Sequence, residues 1–471
     1  MRQPLIVLGE FAESLEWEAI PELTRTRAQL TLRDTVGTIL GGASTPAGRI
    51  ASATTKATGG TNGGNGASGP MAAFALAVHA SALDFDDGHY RGGAIHPGSV
   101  IVPALIVALK TTEADLSAFL TAQIVGYEIG LRAAHLLWPR HELDDYHCTG
   151  TAATLGAAAA VAKLRGGDAE TIARAIGIAW AHAPMATFQL PMVKESIGWS
   201  GATALFAADL ARAGFMSMPA GVTSAVDATF TPTPFHRDGA LDDPFVASLG
   251  AVYEATNTYF KPYACCRYTH TAIRSLQDVM TKNNLRAEHV STVTVDTHHA
   301  AMNLSDQQPA TLDHAQYSFP FVLAAVMCTG EAGADEICES ALTDKTRLLH
   351  AAKVSVRHDP DLDSHYPAHY GSRIVVDTTD GSRFDQTRLI APGDEGDPLT
   401  VDDLTAKFVR LAERVHGRTA AIELASAFLD HRWLRMPSGL TALASATSAV
   451  APTWRDARLL IAQALPDLSP T

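Results

Sequence analysis

The sequence predicts a mainly α-helical protein: a large, discontinuous helical domain with a smaller α+β unit inserted into it. Three observations carry this. Apolar residues recur at three- and four-residue spacing through residues 1 to about 260, the period of a packed helix. From about Val290 the pattern turns to alternation rich in Val and Thr, as in half-buried strands. After the polar stretch 391–398 (APGDEGDP) the helical spacing returns.

The expected helices of the first part are 74–85, 98–111, 116–138, 151–166, 169–183 and 201–214. They are rich in Ala and Gly, so their axes can approach closely. The expected strands are 291–299, 352–359 and 372–379, the last followed by a hairpin at Asp380-Gly381 into SRFDQTRLI. Helices are expected between the strands at 316–330 and 334–342, and after them at 401–415 and 419–431. The last two are expected to pack back on the first helical layer. Residues 1–266 and 400–471 then form the large domain and 267–399 the α+β unit. The run Thr58–Pro70 (TGGTNGGNGASGP) reads as a loop, since no strand or P-loop motif accompanies it.

Composition limits the function. The 471 residues hold 36 Lys and Arg against 50 Asp and Glu, a net charge of −14. An acidic chain is a poor fit to nucleic acid, although a locally basic cleft can still take an anionic substrate. There is no uncharged run of membrane-span length and no secretory signal, so a soluble cytoplasmic protein is expected. The five cysteines show no zinc spacing, and a reducing compartment is expected.

Four polar clusters could carry chemistry. Leu83–Ser99 (LDFDDGHYRGGAIHPGS) holds Asp84, Asp86, Asp87, His89, Arg91 and His96 just after an apolar helix. It reads as a metal site, as acid–base chemistry without metal, or as capping and loop ion pairs. An imidazole at His96, before the next helix, meets a positive helix end and is expected neutral. Asp144–Gly150 places His147 before a small-residue helix. Lys194 follows an apolar QLP and precedes GWSG in the third cluster. The fourth, Lys261–His270 (KPYACCRYTH), packs Lys, Arg, two Tyr and a His into the junction between the two parts. Its cationic character suits a carboxylate ligand. Its paired cysteines read as two small packed thiols.

LDFDD with HPG, HCTGTAATLGAAAAVAKL, KPYACCRYTH and DHAQYSFPFVLAAVMCTG stand in the order in which similar motifs stand in the MmgE/PrpD family. The resemblance spans roughly Leu5 to Leu429. It implies a large helical domain with a smaller α+β lid domain, assembled as a homodimer. It also implies an activity such as that of 2-methylcitrate dehydratase, cis-aconitate decarboxylase or iminodisuccinate epimerase. Carried over residue by residue, it points to Asp84, His96 and His147 as catalytic, and to Lys194, Lys261, His270 and Tyr317 as substrate-binding. The chain departs from the family pattern at Ser81, where His is common, and around Lys194. It departs from the decarboxylase branch at Gly88, where that branch has Thr, and in a longer gap from Asp84 to His96.

The expected chemistry is therefore that of a lyase without metal or organic cofactor, acting on a small di- or tricarboxylate, with 2-methylcitrate-like dehydration first. Decarboxylation of a cis-aconitate-like acid and epimerisation of an iminodicarboxylate are the alternatives. Outside that class stand a metal-dependent hydrolase built on Asp84 and His96, and a non-catalytic binding protein. In a lyase, positive side chains offset charge building beside a carboxylate while a His or Asp moves the proton.

Overall fold

The computed structural model describes residues 4–58, 69–91, 95–138, 147–184, 194–216 and 233–428. It is mainly helical with one four-stranded sheet. The helices of the first part are α1 (Pro4–Ser14), α2 (Glu22–Gly42), α3 (Pro46–Thr58), α4 (Gly69–Ser81), α5 (Gly98–Leu109), α6 (Leu116–Leu137), α7 (Cys148–Leu164), α8 (Ala169–Ala181) and α9 (Lys194–Arg212). None of the described helices is long and apolar enough to cross a membrane.

The small residues of α7 let other helices close around it. It packs on α5, α6, α8 and α9. A Cβ on Gly156 would lie 2.2 Å from the carbonyl oxygen of Gly126 in α6, so only Gly allows this approach. Helix starts are set by side chains. Asp115 accepts from the Ala118 N–H at 2.8 Å and Asp168 from the Thr171 N–H at 2.8 Å. Such caps contribute about 1 kcal/mol each. The expected helix 201–214 begins seven residues earlier, so Lys194 stands in its first turn.

The sheet contains β1 (Val290–Thr297), β2 (Val354–His358), β3 (Ser372–Thr378) and β4 (Arg383–Arg388) in the order β2-β1-β3-β4. β1 and β2 are parallel with Val293 opposite Val354, and the other pairs are antiparallel. The β3–β4 hairpin turns at Asp380-Gly381, where Gly381 takes φ +86°. α10 (His270–Lys282) packs on β3 and β4, and α11 (Phe319–Thr329) on β2 and α10.

Two expectations for this segment are corrected. The helix expected over 316–330 is split. A short helix, Leu312–Gln316, ends at Tyr317, Ser318 caps α11, and Pro320 fits only its first turn. Residues 334–342 do not form an α-helix, and Glu339–Thr343 is a 3-10 turn. The Glu336 side chain accepts from the Gly333 N–H at 2.9 Å, and Arg347 takes the Glu336 carbonyl. Side chains thus close backbone groups that a helix would need.

Helix α12 (Val401–His416), followed by α13 (Arg418–Ala427), lies along α2. Phe408 and Leu411 fill the space left by Gly37 and Gly41. Lys407, on the same buried stripe, pairs with Asp34 of α2 at 2.8 Å. The same Lys407 donates to the Phe85 carbonyl and so brings α12 against the loop that follows α4.

Candidate active site

The loop after α4 carries Asp84 at φ +49°, a left-handed conformation that costs a non-glycine residue on the order of 1–3 kcal/mol. Three side chains from distant elements and one from the loop itself hold its carbonyls. Gln316 Nε2 donates to Ala82 O at 2.9 Å and Lys261 Nζ to Asp84 O at 2.9 Å. Lys407 Nζ donates to Phe85 O at 2.6 Å and His96 Nδ1 to Asp87 O at 2.7 Å. The two from lysine are charge-assisted and the stronger kind. Gln316 and Lys407 were not legible as site residues. Lys407 leaves one signal, a lysine on the apolar stripe of an amphipathic helix beside Leu404, Phe408 and Leu411.

The Asp84 carboxylate is fully buried and faces three donors from three segments. Its Oδ1 lies 3.3 Å from Lys261 Nζ, 3.7 Å from Lys194 Nζ and 3.3 Å from the Tyr317 hydroxyl. Burial alone would raise its pKa, but Lys261, Lys194 and then His96 outweigh it and hold the group well below the usual carboxylate range. Tyr317 reaches Asp84 because Ser318 and Pro320 stop the preceding helix at that residue. Lys194 Nζ is buried without a hydrogen-bond partner and sits 5.9 Å from the Tyr317 ring centre. Two ammonium groups thus share one carboxylate, which leaves positive charge for an anion.

His96 and His147 face each other with ring centres 6.0 Å apart and 21° between planes. A carbonyl only accepts, so the His96 Nδ1 bonded to Asp87 O carries a hydrogen and Nε2 keeps its lone pair. Cys148 starts α7, and His147 is its N-cap, where Nδ1 accepts from the Thr149 N–H at 3.3 Å. A neutral His147 therefore holds its hydrogen on Nε2. Loss of solvation keeps both imidazoles below their usual pKa, with Lys261 adding to it at His96 and His96 at His147. The Thr149 hydroxyl accepts from the His96 N–H at 2.9 Å and ties the two segments together.

Behind the histidines lies a second acidic layer. Asp87 accepts from the Tyr127 hydroxyl at 2.6 Å and from the Gly98 N–H at 3.1 Å. Its burial, with Asp34 and Asp86 nearby, pushes it up to about 8. Asp86 is buried with neither carboxylate oxygen hydrogen-bonded. Among the described residues, no three His, Cys, Asp or Glu side chains converge as a metal ion requires.

The structure brings Asp84, His96, His147, Lys194, Lys261 and Tyr317 together. His270 is buried close by, with both ring nitrogens committed to the protein. Nδ1 meets Arg267 Nη1 at 2.9 Å and Nε2 meets Cys265 O at 3.1 Å. Arg267 in turn binds Asp394, Tyr90 and Pro392 O, tying the KPY segment to the loop before α12. Cys265 and Cys266 are buried free thiols. His89 pairs with Glu254 at 3.4 Å and Arg91 stacks on Phe245 at 4.6 Å, away from this cluster. Asp144–Tyr146, Met192, Val193 and residues 59–68 of the Gly-rich run lie outside the described residues.

Gly88 has a local cause. A Cβ there would lie 2.3 Å from the hydroxyl oxygen of Tyr259, whose backbone pairs with Gly88. Threonine at this position requires Tyr259 to move.

Comparison with known families gives two matches. Residues 7–233 match the MmgE/PrpD N-terminal domain, and residues 263–431 match the MmgE/PrpD C-terminal domain. A comparison with curated proteins gives no match.

Proposed function

Because the chain belongs to the MmgE/PrpD family, we propose that it is a lyase of a small di- or tricarboxylate, working without metal or organic cofactor, with 2-methylcitrate-like dehydration as the leading reaction. The observation that carries this reading is the paired lysines on one buried carboxylate, set beside two histidines of opposite tautomer. Lys261, Lys194 and the Tyr317 hydroxyl bind substrate carboxylates, and Asp84 spaces the two ammonium groups. His96 Nε2 takes the proton from the carbon beside a carboxylate. The electron pair of that C–H bond forms the new C=C bond as the neighbouring C–O bond breaks. His147 Nε2–H protonates the departing hydroxyl, which leaves as water. His96 and His147 return to their starting forms by proton exchange with solvent.

Positive charge beside the carbon that loses its proton is the largest contribution expected here, since fixed charge in a dry site needs no reorganisation. The metal-dependent hydrolase reading is weaker on geometry, because Asp84 spends its carboxylate on two lysines. The segment 267–399 acts as a lid in this proposal, since Tyr317 brings it over Asp84. A homodimer in the cytoplasm is part of the same proposal.

The experiment is incubation of the purified protein with a polycarboxylate panel, followed by mass spectrometry and chiral analysis. Loss of water supports dehydration. Loss of carbon dioxide or inversion of a centre moves the assignment to the decarboxylase-like or epimerase-like reaction. No turnover of any member contradicts the proposal.

A further inference from the structure

Of the four aspartates around the two histidines, two have a cation of their own, one has neutral donors and one has no donor. Asp84 has Lys261 and Lys194, and Asp34 has Lys407. Asp87 is satisfied by Tyr127 and Gly98. Asp86 is fully buried, and neither of its oxygens has a hydrogen-bond partner. Its pairing in range is His96 Nδ1, 3.8 Å from Oδ2. A buried carboxylate without a donor is costly, and one that persists calls for an explanation, a catalytic role among them.

We propose that Asp86 is the counter-ion of a charged His96: a positioning residue that favours the imidazolium formed when Nε2 takes a proton. The inference rests on the reading of His96 as the base. Asp86 does not select the tautomer, because the Nδ1 hydrogen is committed to Asp87 O at 2.7 Å. It acts through space. When the ring gains its second proton, the new charge lies beside a carboxylate that has no partner. Other charges also face the ring. Asp84 acts in the same direction as Asp86, and Lys261 and His147 oppose it. Lys407 and Asp34, both within the field of Asp86, pair with each other at 2.8 Å. Asp87 faces His96 through its backbone carbonyl. Its side chain turns to Tyr127.

The test is a pH titration of His96 by long-range 1H–15N NMR on full-length, histidine-labelled protein, with His96→Gln as the assignment control. In Asp86→Asn the His96 pKa is expected to fall by at least one unit, a tenfold loss of imidazolium at a given pH. The neutral tautomer is expected to stay the same. The melting temperature is expected to hold or rise, since an unpaired buried charge has been removed. A His96 titration unchanged by the substitution overturns the proposal. So does an Asp86→Asn protein that melts well below wild type or does not fold, because a structural carboxylate behaves that way. The readout needs no substrate. A silent polycarboxylate panel would count against the reaction and leave this result to be judged by itself.

Discussion

His96 and His147 stack at 6.0 Å with opposite tautomers, and the backbone sets both. The carbonyl of Asp87 takes the Nδ1 hydrogen of one ring, and the N–H of Thr149 takes the Nδ1 lone pair of the other. One ring is left with a lone pair at Nε2 and the other with a hydrogen there. An elimination needs that pairing, one group to take a proton and one to give it.

Replacing either histidine by glutamine is expected to lower kcat by roughly 10²–10⁴-fold, the usual loss of a general acid or base. Thermal melting should stay near wild type, because glutamine keeps a polar group at each backbone contact. Steady-state kinetics with the active panel member, together with a melt of each variant, check this. Retention of more than about a tenth of wild-type kcat by both variants would remove the two histidines from the chemistry.

The two lysines are expected to behave differently. Lys261 is fully buried, lies 3.3 Å from the Asp84 carboxylate and holds its carbonyl at 2.9 Å. Lys261→Met leaves the Asp84 carbonyl without this donor and its carboxylate with Lys194 alone as cation, and should destabilise the fold by about 1–3 kcal/mol. Lys194 stands 3.7 Å from the same carboxylate and makes no hydrogen bond. Lys194→Met should cost much less stability and raise KM instead. Urea unfolding and KM for each variant make the comparison.

Asp87 gives the protein a pH dependence of definite sign. Its folded pKa is raised to about 8, above the ordinary carboxylate value of about 4. The folded state therefore holds a proton that the unfolded chain releases between those values. The stability this contributes is present below about pH 4 and is lost as pH rises through about 8. Asp84 works in the opposite sense. Its depressed pKa contributes stability that is present above the ordinary carboxylate value and lost only in strong acid. Asp87→Asn keeps an acceptor for Gly98 and cannot ionise. Its unfolding free energy should fall less than that of wild type between pH 6 and 8.5, as measured by denaturant titration.

Gly88→Thr should be destabilising by about 1–3 kcal/mol, the range for overpacking, because its Cβ meets the Tyr259 ring. Combined with Tyr259→Ala, it should cost less than the sum of the two single changes. A double-mutant cycle in urea measures the coupling, and strict additivity would place Tyr259 elsewhere.

The residues that the structure gathers around Asp84 were legible where they cluster in short polar runs, as in LDFDD, HPG, HCTG and KPY. They were not legible where one polar side chain arrives alone from a distant apolar segment. Lys407 reaches back to Phe85, and Gln316 to Ala82. No local spacing encodes either contact. The fold followed the same rule. Periodicity gave the helices from α4 to α9, α12 and α13, and the strands, but not α10 (His270–Lys282). It missed the break at Tyr317, where one capping serine and one proline outweigh a continuous apolar run. His270 shows the reverse case. Its residue type suits a carboxylate, yet Arg267 and Cys265 occupy both its nitrogens.

The most direct test of the base-and-acid assignment is the tautomer of the two histidines in the empty enzyme at neutral pH. Long-range 1H–15N NMR on histidine-labelled protein reads it, with His96→Gln and His147→Gln for assignment. Hydrogen is expected on Nδ1 of His96 and on Nε2 of His147. The same nitrogen protonated on both rings would contradict the assignment.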